Sequence, residues 1–250
     1  MVLARAAHAL GWFGQVGKTL TGGGAIIAFV GADGAGKSTL TRDIVDWLSY
    51  KLDVHLIYLG SGDGGTGAFD RLRRAIRAIV NAVRRKPGDA EEKQATAASR
   101  QCGLLQRLVQ LHQLPVMRHK IKMLRRARRL AGQGSVIIAD RYPQTQVRGI
   151  NDGPRLLDGA SFDWAAAREA RLYQEAETLG PDLLIKLLID AETALARKPG
   201  HARGKVERKC EVIHQLVLPQ CVAVEIDARR PYDEVLRAAK LAIWRALARA

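Results

Sequence analysis

Five short runs of apolar residues punctuate the chain, at 25–30, 54–59, 136–139, 183–189 and 222–226. Most are apolar at consecutive rather than alternate positions, the pattern of a strand covered on both faces, as in a parallel sheet. Between them, spacing near 3.6 residues predicts helices at 39–51, 70–86, 95–111, 116–131, 164–179, 205–218 and 232–248. Strands separated by helices of that length are joined as right-handed βαβ units, so the expected class is α/β with a five-stranded parallel sheet and helices on both faces. Thr21-Gly22-Gly23-Gly24 closes an N-terminal arm, 1–24, and a single domain is expected over 25–250.

Two of the connections carry chemistry. The first strand runs directly into Gly31-Ala32-Asp33-Gly34-Ala35-Gly36-Lys37-Ser38, which reads G-x-x-x-x-G-K-S, and a helix is predicted from Thr39. Strand, glycine-rich loop and helix in that order are the context a P-loop requires. Its glycines let backbone N–H groups turn inward on phosphate oxygens, and the helix N-terminus adds the positive end of its dipole. Lys37 is expected to reach the β- and γ-phosphates, and the Ser38 hydroxyl to ligate Mg²⁺. No Asn-Lys-x-Asp run is present to read guanine, so the expected nucleotide is ATP. The third strand ends in Asp140-Arg141-Tyr142. An acid at that point beside a P-loop is a Walker-B arrangement, with Asp140 at Mg²⁺ and Arg141 facing the crevice at the carboxyl end of the sheet.

After the fourth strand, residues 194–208 are dense in cations and interrupted by Pro199, Gly200 and Gly204. Such a segment predicts a mobile basic lid, 197–209, able to stabilise charge on a phosphoryl group and exclude water.

These three pieces, in this order, resemble the thymidylate kinase family of P-loop nucleoside monophosphate kinases. Pro181-Asp182-Leu183-Leu184 and the tail Val224-Glu225-Ile226-Asp227-Ala228-Arg229-Arg230-Pro231 extend the resemblance over most of 25–248. The resemblance implies an ATP- and Mg²⁺-dependent phosphotransferase acting on a nucleoside monophosphate or related small acceptor. It implies that Asp33 lies near the acceptor's sugar and phosphate, and that Arg118 and Arg141 hold the acceptor phosphate. It puts Asp227 and Ala228 beside the adenine, Arg197 at the start of the lid, and the catalytic arginine in the lid as Arg203 or Arg208, because the variable P-loop positions are Gly34 and Ala35. It also implies a homodimer, since members often dimerise. The chain departs from the family after its second strand, where Leu59-Gly60-Ser61-Gly62-Asp63-Gly64-Gly65 replaces an Arg-Glu-Pro-Gly step. It departs again at 143–154, where the thymine-reading residues are replaced. The ATP side is kept and the base-reading side is not, so the acceptor stays open.

Composition alters this picture in one respect. With 40 Lys and Arg against 25 Asp and Glu, the formal charge is +15, more than a phosphate site uses. Much of the surplus falls on the predicted helices 70–86 and 116–131. The first has an apolar stripe of Leu72, Ile76, Ile79 and Val83 opposite Arg73, Arg74, Arg77, Arg84 and Arg85. It lies within an extended helical region, 61–112, on the expected acceptor side. A basic amphipathic helix of this kind suits an anionic membrane surface or a protein partner. Nucleic acid fits less well: aromatic residues are 5% of the chain, and no helix-turn-helix or zinc finger is visible. No apolar run approaches the roughly 18 residues of a membrane span. Cys102, Cys210 and Cys221 lack metal or redox spacing. A reducing, cytoplasmic setting is therefore expected, with peripheral membrane contact left open. The alternative function is a P-loop ATPase or switch, or a non-catalytic nucleotide-binding protein, acting with a protein or membrane partner.

Overall fold

A computed structural model describes residues 18–60, 113–156, 163–219 and 221–248. The predicted helices at 70–86 and 95–111 and most of the N-terminal arm lie outside the described residues. The described chain runs β1 (Ile26–Gly31), α1 (Lys37–Ser49), β2 (Val54–Tyr58), α2 (Gln113–Gly132), β3 (Val136–Asp140), α3 (Asp163–Thr178), β4 (Leu183–Leu188), α4 (Ala191–Arg197), α5 (Arg203–Gln215), β5 (Val222–Asp227) and α6 (Tyr232–Leu247).

The chain divides into two units. The first comprises Met1–Tyr58, Arg125–Tyr142 and Leu179–Ala250, and the second Leu59–Leu124 and Pro143–Thr178. The first unit holds the whole sheet, five parallel strands in the order β2-β3-β1-β4-β5. Its two faces follow from strand alternation. Ile27, Phe29, Ile138, Ile185 and Leu187 point to one face and pack with Leu40, Ile44 and Leu48 of α1 and Val235, Ala239 and Ile243 of α6. Ile26 and Ile137 point to the other and pack with Ala127 and Ala131 of α2. This is the three-layer α/β fold of P-loop nucleotide-binding proteins. β5 forms an edge, and its Val222 and Glu225 are exposed.

The order of the strands creates the site. From β1 the chain crosses toward β2, and from β4 it crosses the opposite way toward β5. Connections leaving adjacent strands in opposite directions open a crevice at their carboxyl ends, where α/β sheets bind ligands. The turns that leave β1, β3, β4 and β5 begin there.

In the second unit the segment 143–154 is braced on Gln144, which is fully buried. Its amide nitrogen donates to the carbonyls of Val147 (2.7 Å) and Ile150 (2.8 Å), and its oxygen accepts from Val147 N–H (2.8 Å). Buried Glu169 on α3 accepts the N–H groups of Arg155 and Leu156. Lys120 and Asp152, both buried, pair at 3.2 Å. Among the described residues no helix is long and apolar enough to cross a membrane.

Candidate functional site

The loop between β1 and α1 takes its shape from two left-handed residues, Gly34 (φ 92°) and Gly36 (φ 83°). At Gly34 two constraints coincide, since a Cβ there would also lie 2.6 Å from the Ala194 carbonyl oxygen of α4. Only glycine satisfies both. Gly36 is the N-cap of α1 and has no side chain to cover the first N–H groups, so that helix terminus remains open toward the crevice, a natural site for a phosphate.

Lys37 opens α1 and is only 7% exposed. Its ammonium donates to the carbonyls of Gly31 and Ala32, each at 2.8 Å, which fixes it across the mouth of its own loop. Ser38 and Thr39 follow on the exposed side of the helix. The Ser38 hydroxyl donates to Asp140 Oδ2 at 3.1 Å. The other oxygen, Asp140 Oδ1, is buried and accepts no hydrogen bond within the protein among the described residues. A buried carboxylate oxygen with no donor is costly unless something cationic meets it. A hydroxyl and a carboxylate at this point make a hard, all-oxygen donor set that fits Mg²⁺.

Arg141 adopts a left-handed backbone, φ 74°, unusual for a long side chain. Its N–H donates to the Phe29 carbonyl at 2.9 Å, which secures the turn after β3 to β1. The turn sends the guanidinium to the P-loop, where Nη2 donates to Asp33 Oδ1 at 3.3 Å. Asp33 Oδ2 accepts from the ammonium of Lys209 on α5. Burial raises the Asp33 carboxyl. The Lys209 hydrogen bond and the charges of Lys209, Lys37 and Arg141 outweigh it and bring the group down to about 2. Asp33 is thus the point where three cations from three elements converge.

The last part of the site is the step after β5. Ala228 N–H donates to the Leu188 carbonyl at the end of β4, and the Ala228 carbonyl accepts from Arg197 at 2.8 Å. Arg197, Ala228 and Tyr232 line a cavity of about 140 Å³ that also touches Ala35 and Gly36. This puts a half-enclosed space immediately beside the helix terminus that faces the phosphates. Asp227 is not among its walls. Arg229 grips that carboxylate through Nε, Nη2 and its own N–H, which holds it well below the usual carboxylate range. A larger cavity, about 810 Å³, lies between β5 and α6; it is mainly apolar and carries neither Lys37 nor Asp140.

The sequence-predicted residues therefore divide. Ser38 and Asp140 form one hydrogen-bonded pair and Arg141 and Asp33 another, with the charge of Lys37 acting on Asp33, and Gly31, Gly34, Ala35, Gly36, Arg197 and Ala228 belong to the same loops and walls. Arg203 is 74% exposed and pairs with Glu207 one turn on, at 2.8 Å. Arg208 is exposed on α5. Arg118 belongs to the second unit, where it is exposed on α2. The cation of α5 that reaches the P-loop is Lys209, which sequence reasoning placed inside the lid and did not single out. A signal for it existed: Val206 and Ile213 are buried, and position 209 is i+3 from one and i−4 from the other. Position 208, two residues from Val206, points roughly 200° away from it.

No protein-family model matches the chain. It is 36% identical over 228 residues to the uncharacterized ATP-binding protein YghS of Escherichia coli K12, covering 89% of this chain and 93% of that protein. It is 34% identical over 223 residues to the uncharacterized ATP-binding protein YghR of the same strain, covering 87% of this chain and 86% of that protein.

Proposed function

The chain belongs to the family of the Escherichia coli proteins YghS and YghR, and from that premise we propose that it binds ATP on its P-loop and transfers the γ-phosphoryl group to a small acceptor. The observation that carries this reading is the Ser38–Asp140 hydrogen bond next to Lys37, whose ammonium is held across the P-loop, at the crevice of a parallel sheet. A nucleotide-binding role rests on that arrangement together with the names of the relatives. The transferase role rests further on the likeness to thymidylate kinases and on the cations gathered at Asp33.

In this reading the open N-terminus of α1 and the backbone of 31–36 hold the inner phosphates, and Lys37 bears on the β- and γ-phosphates. The base enters the cavity lined by Arg197, Ala228 and Tyr232. Ser38 and Asp140 would hold Mg²⁺, which supplies neutralising charge to the phosphate oxygens when bound. Arg141, strained but fixed by its bond to Phe29, orients the acceptor's anionic group. In the transfer itself the acceptor oxygen forms its bond to the γ-phosphorus while the bond to the bridging oxygen breaks. That electron pair leaves on ADP, and the proton of a hydroxyl acceptor passes to solvent or buffer. Little covalent work is asked of the protein; positioning and charge carry the chemistry.

The segment 143–154, braced on Gln144 rather than presenting thymine-reading side chains, supports an acceptor other than thymidine monophosphate. Purified protein with ATP and Mg²⁺, offered a panel of nucleoside monophosphates, nucleosides and phosphosugars, should convert at least one to its phosphorylated product by mass spectrometry. ATP bound and hydrolysed slowly, with no product from any acceptor, would overturn the transferase reading and leave the ATPase.

A further inference from the structure

Lys209 has no counterpart among the expected site residues, and the structure gives it a specific position. It extends from the buried side of α5, in helical phase with Val206 and Ile213, and its ammonium bonds Asp33 within the phosphate loop. The Asp33 carboxylate, 14% exposed, is shared with Arg141, which bonds its other oxygen. Lys37 bears on the same carboxylate from the loop. Three cations are thereby gathered around one carboxylate in a partly enclosed crevice. A carboxylate and a phosphoryl group are recognised by the same donors, so a phosphoryl group entering this crevice meets the same cations as Asp33 does.

We propose that Lys209 is a direct contact to the terminal phosphate of the bound nucleotide, and that Asp33 positions Lys209 and competes with that phosphate for it. The proposal rests on the ATP-binding reading above and deepens it. Lys37 is the loop cation that reaches toward the β- and γ-phosphates. Lys209 faces the same carboxylate as Lys37 but from α5, outside the loop, so the phosphate it shares with Lys37 is the outermost one. The inner phosphates are left to the loop's own N–H groups. Asp33 then acts in two directions: it holds the α5 ammonium at the site, and its charge opposes that of the phosphate.

Two variants separate this from a merely structural ion pair, because their expected effects have opposite sign. Binding of ADP and of the non-hydrolysable analogue AMP-PNP is measured by calorimetry with Mg²⁺ on the full chain. Lys209→Ala is expected to weaken AMP-PNP about ten- to a hundredfold, the range for losing a charged hydrogen bond, and to change ADP affinity less than about threefold. Asp33→Asn keeps the shape, removes the opposing charge and is expected to tighten AMP-PNP about three- to tenfold. A structural bridge would make both variants weaken both nucleotides, and that result overturns the proposal, as does a Lys209→Ala loss equal for ADP and AMP-PNP. Arg237→Ala removes one exposed cation from α6; a loss matching that of Lys209→Ala would assign the effect to overall charge and also overturn it. If Lys209→Ala does not fold, Asp33→Asn alone decides, tightening supporting the proposal and weakening sinking it. Lys37→Ala tests the underlying reading separately: unchanged nucleotide affinity there removes the P-loop premise, whereas its loss with an indifferent Lys209→Ala removes only the present inference.

Discussion

An Asp33 carboxyl depressed from 3.8 to about 2 releases its proton more readily in the folded chain than in the unfolded one. Its stabilisation is therefore fully present above about pH 4 and is lost as the pH falls through the range from 4 toward 2. The shift corresponds to about 2 kcal/mol at most. Denaturant titrations of the wild type and Asp33→Asn should differ by about 1–2 kcal/mol at pH 6 and converge near pH 2; a gap that does not narrow over that window would refute the assignment. The convergence on Asp33 was only half legible from the residues. Asp33 and Arg141 stand inside recognisable motifs, but Lys209 is 176 positions from Asp33. Whether it or Arg208 turns inward is decided by a single 100° step around α5. Arg203 offered a plainer warning, because Glu207 stands at i+4, the distance at which a helix pairs opposite charges on its own surface.

The strands were the most legible elements: burial on both faces leaves β1, β3 and β4 little room for polar residues, and the part-exposed edge strands β2 and β5 still carry mostly apolar runs. All five lie within one or two positions of their apolar runs. Helix ends were less so. α1 begins at Lys37 rather than at Thr39, since the loop's last glycine already serves as its cap. The short α4 is set by Asp190, whose carboxylate accepts the Thr193 N–H at 2.8 Å and the Thr193 hydroxyl at 2.9 Å, a local device that periodicity does not reveal. Least legible was the use of Lys186, a cation in the middle of a buried strand. Its ammonium donates to the His214 carbonyl at 2.7 Å, in the last turn of α5, and pairs across the strand with Glu225 at 2.8 Å. It thereby ties the C-terminal end of the helix that carries Lys209 to the sheet. Lys186→Met keeps the bulk and removes the tie. It should cost about 1–3 kcal/mol and accelerate hydrogen exchange in α5 more than in α1. Equal protection of both helices in the variant would show that α5 does not depend on that anchor.

At the scale of the whole molecule, the parallel class followed from alternating strands and helices, but the order β2-β3-β1-β4-β5 could be chosen only with the help of a resemblance, because crossover directions leave no mark in periodicity. The charge of +15 was legible as a surplus and not as a destination. Lys37, Arg141 and Lys209 converge on the crevice, Lys120 and Arg128 are committed to Asp152 and Asp182, and Lys186 to Glu225. Arg141 has a further consequence. Its left-handed backbone stores roughly 1 kcal/mol that a glycine would not, and the unfolded chain does not carry that strain. Arg141→Gly relieves that strain and loses the ion pair to Asp33, so its melting temperature should stay within about 5 °C of the wild type while it binds an anionic acceptor more weakly; a larger drop would argue that the residue is structural. The backbone alone favours glycine at this position; what the arginine adds there is the guanidinium that spans from the sheet's third strand to the phosphate loop.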